Sequence, residues 1–328
     1  MGVAAEAPGE AGLRGLGATE ASERVLRVFR SRVESSQSLW ELLEALDYLA
    51  SSLSRRPFSA LLLNTARSVL EAVASGGWQS LEELRSLLTA RVDEMLARVV
   101  AETEAAAEIA ARRLEPRDVV LTYSYSRSVL RALEKAAAMG KEPRVIVAES
   151  RPLQEGLEMA KRLARSEIKV TLIVDSAVRF LAREATRVLL GADAVTADGS
   201  IVARTGSGMV ALAASEARVR VTVVAGTYKL YPETVYGLTI ETPWLGDEIV
   251  PEQLRSLDVK GYAPLYETVP PSLVDALATE KGVIAPEAVP LLIREAYGEW
   301  PPRIRGLEEL QREARERILE AIQEERRG

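Results

Sequence analysis

Between Asp118 and Lys229, short β-branched runs alternate with helical patterns. The runs are Val119-Val120-Leu121-Thr122, Val145-Ile146-Val147-Ala148, Val170-Thr171-Leu172-Ile173-Val174 and Val219-Arg220-Val221-Thr222-Val223-Val224. Being almost continuously apolar, they predict strands covered on both faces, the habit of a parallel sheet. The amphipathic segments between them have the length of crossover helices, so the repeated unit is βαβ. From about Thr19 to Leu114 the apolar spacing is helical instead, with Val25, Val28, Phe29 and Val33 on one face. Ser38-Leu39-Trp40-Glu41 and Ser80-Leu81-Glu82-Glu83 are capping-box patterns. The second opens a stripe of Leu84, Leu88, Val92, Met95, Leu96 and Val99, which predicts one helix running to about Ala111. Between these, Pro57 is read as opening a further helix and Gly76-Gly77 as ending it. The expected fold class is α/β: a flexible tail over 1–18, a helical domain over 19–115 and a mostly parallel sheet domain over 116–328. Tyr231 to Pro271 is expected as a surface excursion, and Arg303 to Arg327 as a charged, solvated helix.

Composition narrows the chemistry more than the fold. Apolar residues make up 47% of the 328 positions and charged ones 27%, as in ordinary soluble globular proteins. No apolar run is long enough to span a bilayer and no basic-then-apolar leader follows Met1, so the expectation is cytoplasmic, with no membrane partner. The net charge of −6 argues against a dedicated nucleic-acid surface, although a basic patch can hide inside an acidic total. Without cysteine there is no disulfide framework and no thiolate. Without histidine the usual general base near neutral pH is gone, along with the commonest metal ligand. Chemistry must come from carboxylates, hydroxyls, Lys, Arg and backbone dipoles. The excess of Arg over Lys, with few Asn and Gln and no Cys, points to a thermophile.

In open parallel sheets, ligands gather beyond the carboxyl ends of the strands. Arg151 and Lys229 each follow a strand there. Arg204-Thr205-Gly206-Ser207-Gly208 precedes a helical run from Met209 to Ala217. N–H groups at a helix start beside an Arg suit a phosphate, so Arg151, Arg204, Gly206, Ser207, Gly208 and Lys229 form a candidate anion site. Asp193, in Leu190-Gly191-Ala192-Asp193, is read as lying just after a helix. Taken alone it is first a turn cap and second an acid or base. Asp198-Gly199 is a hairpin-turn signal. Ser124 has no histidine to activate it, and neither Gly-x-Ser-x-Gly nor a dinucleotide or Walker motif is present. No metal, dinucleotide or other cofactor is expected.

Several pieces, in order, resemble the alpha, beta and delta subunits of translation initiation factor 2B and their archaeal relatives. They are Thr122-Tyr123-Ser124-Tyr125-Ser126-Arg127, Val145-Ile146-Val147-Ala148-Glu149-Ser150-Arg151-Pro152, Gly191-Ala192-Asp193 and Ala197-Asp198-Gly199-Ser200. Thr205-Gly206-Ser207, Thr227-Tyr228-Lys229, Pro264-Leu265-Tyr266 and Glu280-Lys281-Gly282-Val283-Ile284 continue the series. That family also holds isomerases of ribose 1,5-bisphosphate and methylthioribose 1-phosphate. The resemblance implies a helical domain on a Rossmann-like domain, with dimers or larger homo-oligomers formed through the latter. It also implies partners such as initiation factor 2 or paralogous subunits, and a sugar phosphate or nucleotide monophosphate as ligand.

The isomerases carry a catalytic cysteine where Ser124 stands, an Asn-Lys pair where Ala203-Arg204 stands, and an Arg-Gly-Ala phosphate segment matched poorly by Arg55-Arg56-Pro57-Phe58-Ser59. Tyr125-Ser126-Arg127 and Arg204-Thr205-Gly206 are instead similar to the beta and delta subunits. The expectation is therefore a partner-binding regulatory subunit rather than an enzyme. The alternative is an aldose–ketose isomerase using Asp193 as acid/base and Ser124 in the cysteine's place.

Overall fold

The computed structural model describes residues 17–56, 58–237 and 242–325. The expected tail lies almost wholly outside the described residues, and so does Pro57. The chain begins with four helices, α1 (Ala18–Ser35), α2 (Leu39–Arg55), α3 (Ala60–Ala74) and α4 (Leu81–Arg113). Both capping patterns form. The Oγ atoms of Ser38 and Ser80 accept the N–H groups of Glu41 and Glu83 at 3.3 and 3.2 Å. Each glutamate reaches back to the N–H one residue before the cap, of Gln37 or Gln79, at 2.7 Å. Caps of this kind stabilise a helix by about 1 kcal/mol.

The chain then alternates through β1 (Val119–Tyr123), α5 (Arg127–Ala138), β2 (Arg144–Ala148), α6 (Glu155–Arg165), β3 (Lys169–Ile173), α7 (Val178–Leu181) and β4 (Arg187–Leu190). It continues with β5 (Ala194–Thr196), β6 (Ile201–Arg204), α8 (Ser207–Ala217), β7 (Arg220–Val224) and β8 (Leu230–Tyr231). The last elements are β9 (Trp244–Leu245), β10 (Ala263–Pro264), β11 (Tyr266–Val269), β12 (Ala276–Thr279), β13 (Gly282–Ile284), α9 (Val289–Tyr297) and α10 (Leu307–Glu325). The main sheet has the order β13-β12-β7-β4-β1-β2-β3. Every neighbour in it is parallel except the edge pair β12–β13. The four apolar runs are β1, β2, β3 and β7; β1, β2 and β7 are largely buried as expected, whereas β3 is an edge strand on which only Ile173 is buried.

Three expectations change. Asp193 does not follow a helix, because Arg187-Val188-Leu189-Leu190 is strand β4; a short apolar run of this kind reads equally as helix or strand. The excursion from Tyr231 is only partly surface. Residues 251–260 are exposed, but Tyr266 is buried and β11 joins a second sheet of order β11-β6-β5-β8. The terminal helix is not merely solvated. Leu310, Ala314, Ile318 and Ile322 of α10 are buried in the core formed by α1–α4. Burying a large apolar side chain contributes about 1.5–3 kcal/mol, so α10 is part of the helical bundle although it follows the sheet in sequence.

α4 ties the halves together. Leu84, Leu88, Val92, Leu96 and Val99 pack in the bundle. Further along, Ala106, Ala107, Ala110 and Ala111 lie against the sheet and α5, where small side chains let the helix approach closely.

Candidate functional site

The carboxyl ends of β1 and β2 turn sharply. Ser124 has φ 61° and Ser150 has φ 66°, left-handed values that cost a non-glycine residue energy and persist where neighbours enforce them. The enforcing bonds are visible. Ser124 N–H donates to Ser150 Oγ at 2.6 Å, and Ser150 N–H donates to Asp175 Oδ1 at 2.8 Å. The Ser124 hydroxyl donates to Glu155 Oε2 at 2.8 Å. The other oxygen of Glu155 receives Arg204 Nη2 at 2.8 Å, and the Arg204 guanidinium stacks over the Tyr266 ring at 4.5 Å from its centroid. Burial alone would lower the Arg204 pKa, but Tyr266, Glu155 and Asp193 hold it above its ordinary value.

Asp193 sits where the chain leaves the main sheet for the second one. Its N–H donates to Val202 O at 2.8 Å. Lys229 is buried, donates to Ala192 O at 2.6 Å and lies against the ring of Tyr228. Ser124, Asp193, Arg204, Ser207 and Lys229 line one cavity of about 30 Å³. That is room for a water molecule or two, against about 300–1,000 Å³ for a typical ligand pocket.

The first turn of α1 closes this cavity, with Gly17 to Glu20 in its wall. Glu20 accepts from Tyr125 Oη at 2.6 Å and from Arg162 at 2.7 Å. Glu23 is held by both outer nitrogens of Arg127 at 2.9 and 2.7 Å. A Cβ on Gly17 would lie 2.6 Å from the Tyr125 ring, so this fit needs glycine. Tyr125 and Arg127 clasp the helical half onto the sheet.

The expected convergence of Arg151, Arg204 and Lys229 on the glycine turn does not occur. Arg151 is exposed, and its N–H donates to Asp175 Oδ2 at 2.7 Å; it is not part of the cavity wall. The N–H groups of Gly206 and Gly208 already donate to Glu267 Oε1, at 2.6 and 2.8 Å. Gly206 has φ 106°, and a Cβ there would lie 2.1 Å from Tyr123 Oη. The turn is thus built to seat an internal carboxylate. Asp198 caps its own hairpin, accepting Ser200 N–H at 3.0 Å. From the Arg55–Ser59 segment, the charge of Arg56 is felt at Asp193, and Phe58 packs on Tyr266 with ring centroids 5.2 Å apart.

Glu155 and Glu267 were missed. A glutamate at the first position of a helix reads as a partner of the helix dipole, and nothing near Glu155 in sequence signals Ser124 or Arg204. Glu267 follows Tyr266 in a stretch read as excursion. Among the described residues no group of acidic side chains gathers as a metal site, and no helix is long and apolar enough to cross a membrane.

Comparison with known proteins gives a consistent picture. The Initiation factor 2 subunit family matches residues 16–286. The ribose 1,5-bisphosphate isomerase of Pyrococcus furiosus is 34% identical over 276 residues, 82% of this chain and 84% of the relative. A putative translation initiation factor eIF-2B subunit 2-like protein of the same organism is 32% identical over 202 residues, 62% of this chain and 70% of the relative. The crystal structure of the Pyrococcus horikoshii translation initiation factor eIF-2B superposes with a TM-score of 0.72 at 27% identity, covering 83% of this chain and 93% of that one.

Asp193 offers a direct test of the cavity's electrostatics. Burial raises its pKa above the ordinary value, against the opposing pull of Arg204 and Lys229. A raised native pKa means that the native state holds the proton more tightly than the unfolded chain. The resulting stabilisation is complete below the unfolded value of about 3.9 and is lost as pH rises through the native one. Asp193→Asn removes that loss. The variant is expected to melt above wild type near neutral pH, with the gap closing on acidification; a wild type that is the more stable protein at neutral pH would contradict this.

Proposed function

We propose, for a chain that belongs to the Initiation factor 2 subunit family, a regulatory, partner-binding role rather than sugar-phosphate isomerisation. The observation that carries this reading is Glu267. Its carboxylate takes the two N–H groups of the glycine turn, where a phosphate would otherwise be held. Glu155 similarly occupies Arg204. A bisphosphate would have to displace the buried carboxylate of Glu155 and the half-buried one of Glu267, and open a cavity now sized for water. The likeness to the Pyrococcus horikoshii initiation factor structure supports the same reading. Function then resides on surfaces: the chain assembles as a dimer or larger through its sheet-bearing half and meets initiation factor 2 or paralogous subunits. Exposed apolar residues support the assembly, with Phe180 at 77%, Trp244 at 57% and Val174 at 53% of full exposure, the last two beside sheet edges.

A second reading, isomerisation between C1 and C2 of ribose 1,5-bisphosphate, is favoured by one observation beyond the names of the relatives. Ser124 is bonded to a carboxylate, Glu155, which supplies the nearby base its hydroxyl otherwise lacks. Yet a hydroxyl cannot hold negative charge near neutral pH as a thiol can, and Glu155 is already paired with Arg204.

Each general acid or base is worth about 10²–10⁴ in rate, so a site with Asp193 alone should turn over near background. A coupled assay of ribose 1,5-bisphosphate with wild type, Ser124→Cys and Asp193→Asn is expected to give no appreciable turnover, with a small rise at most for Ser124→Cys. Robust wild-type turnover abolished by Asp193→Asn would establish the enzyme instead. Light scattering on the same preparations is expected to give at least twice the chain mass of 35.7 kDa; a monomer across micromolar concentrations would remove the assembly reading.

A further inference from the structure

The opposite, amino-terminal edge of the main sheet gathers positive charge around a cleft, whereas in the carboxyl-edge cavity Arg204 is paired with Glu155 and Lys229 with a carbonyl. Arg187 opens β4 and Arg220 opens β7, and the two are register partners on adjacent parallel strands. Adjacent strands lie about 4.8 Å apart, so two guanidinium groups rise side by side on the sheet face that α4 covers. Arg113, in the last turn of α4, adds a third. Together they line a cleft of about 320 Å³ whose remaining wall includes Leu114, Leu189 and Ile284. That volume is roughly ten times that of the cavity at the other edge and within the range of about 300–1,000 Å³ common for small-ligand pockets.

Of the two nearby acids, Asp275 lines the cleft and Asp118 flanks Arg187, and both are already engaged. Asp118 lies 3.8 Å from Arg187 Nε, but it accepts Glu115 N–H at 2.7 Å and the Thr186 hydroxyl at 2.6 Å. Asp275 accepts Val221 N–H at 2.7 Å. Among the described residues neither Arg113 nor Arg220 has an ion-pair partner. Like charges on directly opposed strand positions destabilise a sheet, and three converging guanidinium groups match the several acceptor oxygens of a phosphate better than one carboxylate.

We propose that this cleft binds a small organic phosphate. Arg113, Arg187 and Arg220 hold its dianionic group, and its apolar body lies on Leu114 and Ile284. The cleft is concave and partly apolar, which favours a compact ligand over an extended acidic peptide or a nucleic-acid backbone.

Isothermal titration of the full chain with phenyl phosphate tests this, with inorganic phosphate, a glutamate-rich peptide and a short single-stranded RNA titrated alongside. The expected result is one phenyl phosphate per chain, bound more tightly than inorganic phosphate. Affinity should fall at least about tenfold in the Arg187→Gln/Arg220→Gln variant, since each charge-assisted bond is worth nearly that factor or more, with circular dichroism unchanged. Should that variant fail to fold, Arg113→Gln, at an exposed helix end, is expected to weaken binding several-fold. No binding of phenyl phosphate, or equal binding by wild type and a folded variant, would overturn the assignment. So would binding of the peptide or the RNA without phenyl phosphate. Inorganic phosphate bound as tightly as the ester would overturn the role given to the apolar wall.

Discussion

At the carboxyl edge of the main sheet, backbone N–H groups that would suit an incoming anion are bonded to carboxylates of the chain itself. Asp175 takes those of Ser150 and Arg151. Glu267 takes those of Gly206 and Gly208. Glu280 and Glu102 take those of Thr227 and Tyr228, at 3.0 and 2.8 Å. Hydrogen bonds to charged groups contribute about 1.5–3 kcal/mol each, and a ligand would have to replace several at once. Asp175 holds Ser150 in its left-handed conformation, Ser150 Oγ in turn holds Ser124 in its own, and the small cavity follows from turns drawn inward onto internal acids.

The helical half takes part in this closure. Glu102 comes from α4, while Glu20 and Glu23 come from α1. Tyr228 of the sheet half is buried among the bundle's apolar side chains, and its hydroxyl lies 3.2 Å from Thr103 Oγ1. Asn64 of α3 donates to the carbonyls of Tyr228 and Leu230 at 3.1 and 3.0 Å. Opening the site for a ligand therefore means separating charged and apolar contacts between the halves. The proposed surface-acting role requires no such opening.

The fold was legible where pattern and packing agree. β1, β2 and β7 are apolar and largely buried, β3 is recognised by its β-branched run although it lies exposed at the sheet edge, and Ser38 and Ser80 announce their helices through local bonds alone. β4 was illegible because four residues are too few to separate helix from strand. α10 was legible as a helix, but its docking was not, because its partners in the bundle lie far away in sequence. Within the site, Arg204, Ser207 and Lys229 were legible as anion ligands from their strand-end and helix-start positions, and Ser124 and Asp193 only through the family resemblance; Arg151, Gly206 and Gly208, read with the first group, are not in the cavity wall. What could not be read was the pairing: Glu155 and Glu267 act across 31 and about 60 residues, and only the three-dimensional fold shows that they neutralise the donors that seemed free for a ligand.

The two edges of one sheet thus differ in what they offer. At the carboxyl edge the turn N–H groups and Arg204 are matched by internal acids; at the amino edge, Arg113 and Arg220 are not. The most direct measurement is calorimetric titration of ribose 1,5-bisphosphate into chains carrying Arg187→Gln and Arg220→Gln, so that the amino-edge cleft contributes nothing, with and without Glu267→Ala. No saturable heat is expected while Glu267 is present, and saturable binding is expected once its removal frees the N–H groups of Gly206 and Gly208. Micromolar binding with Glu267 in place, and no gain on its removal, would contradict the claim that the chain's own carboxylates occupy the site.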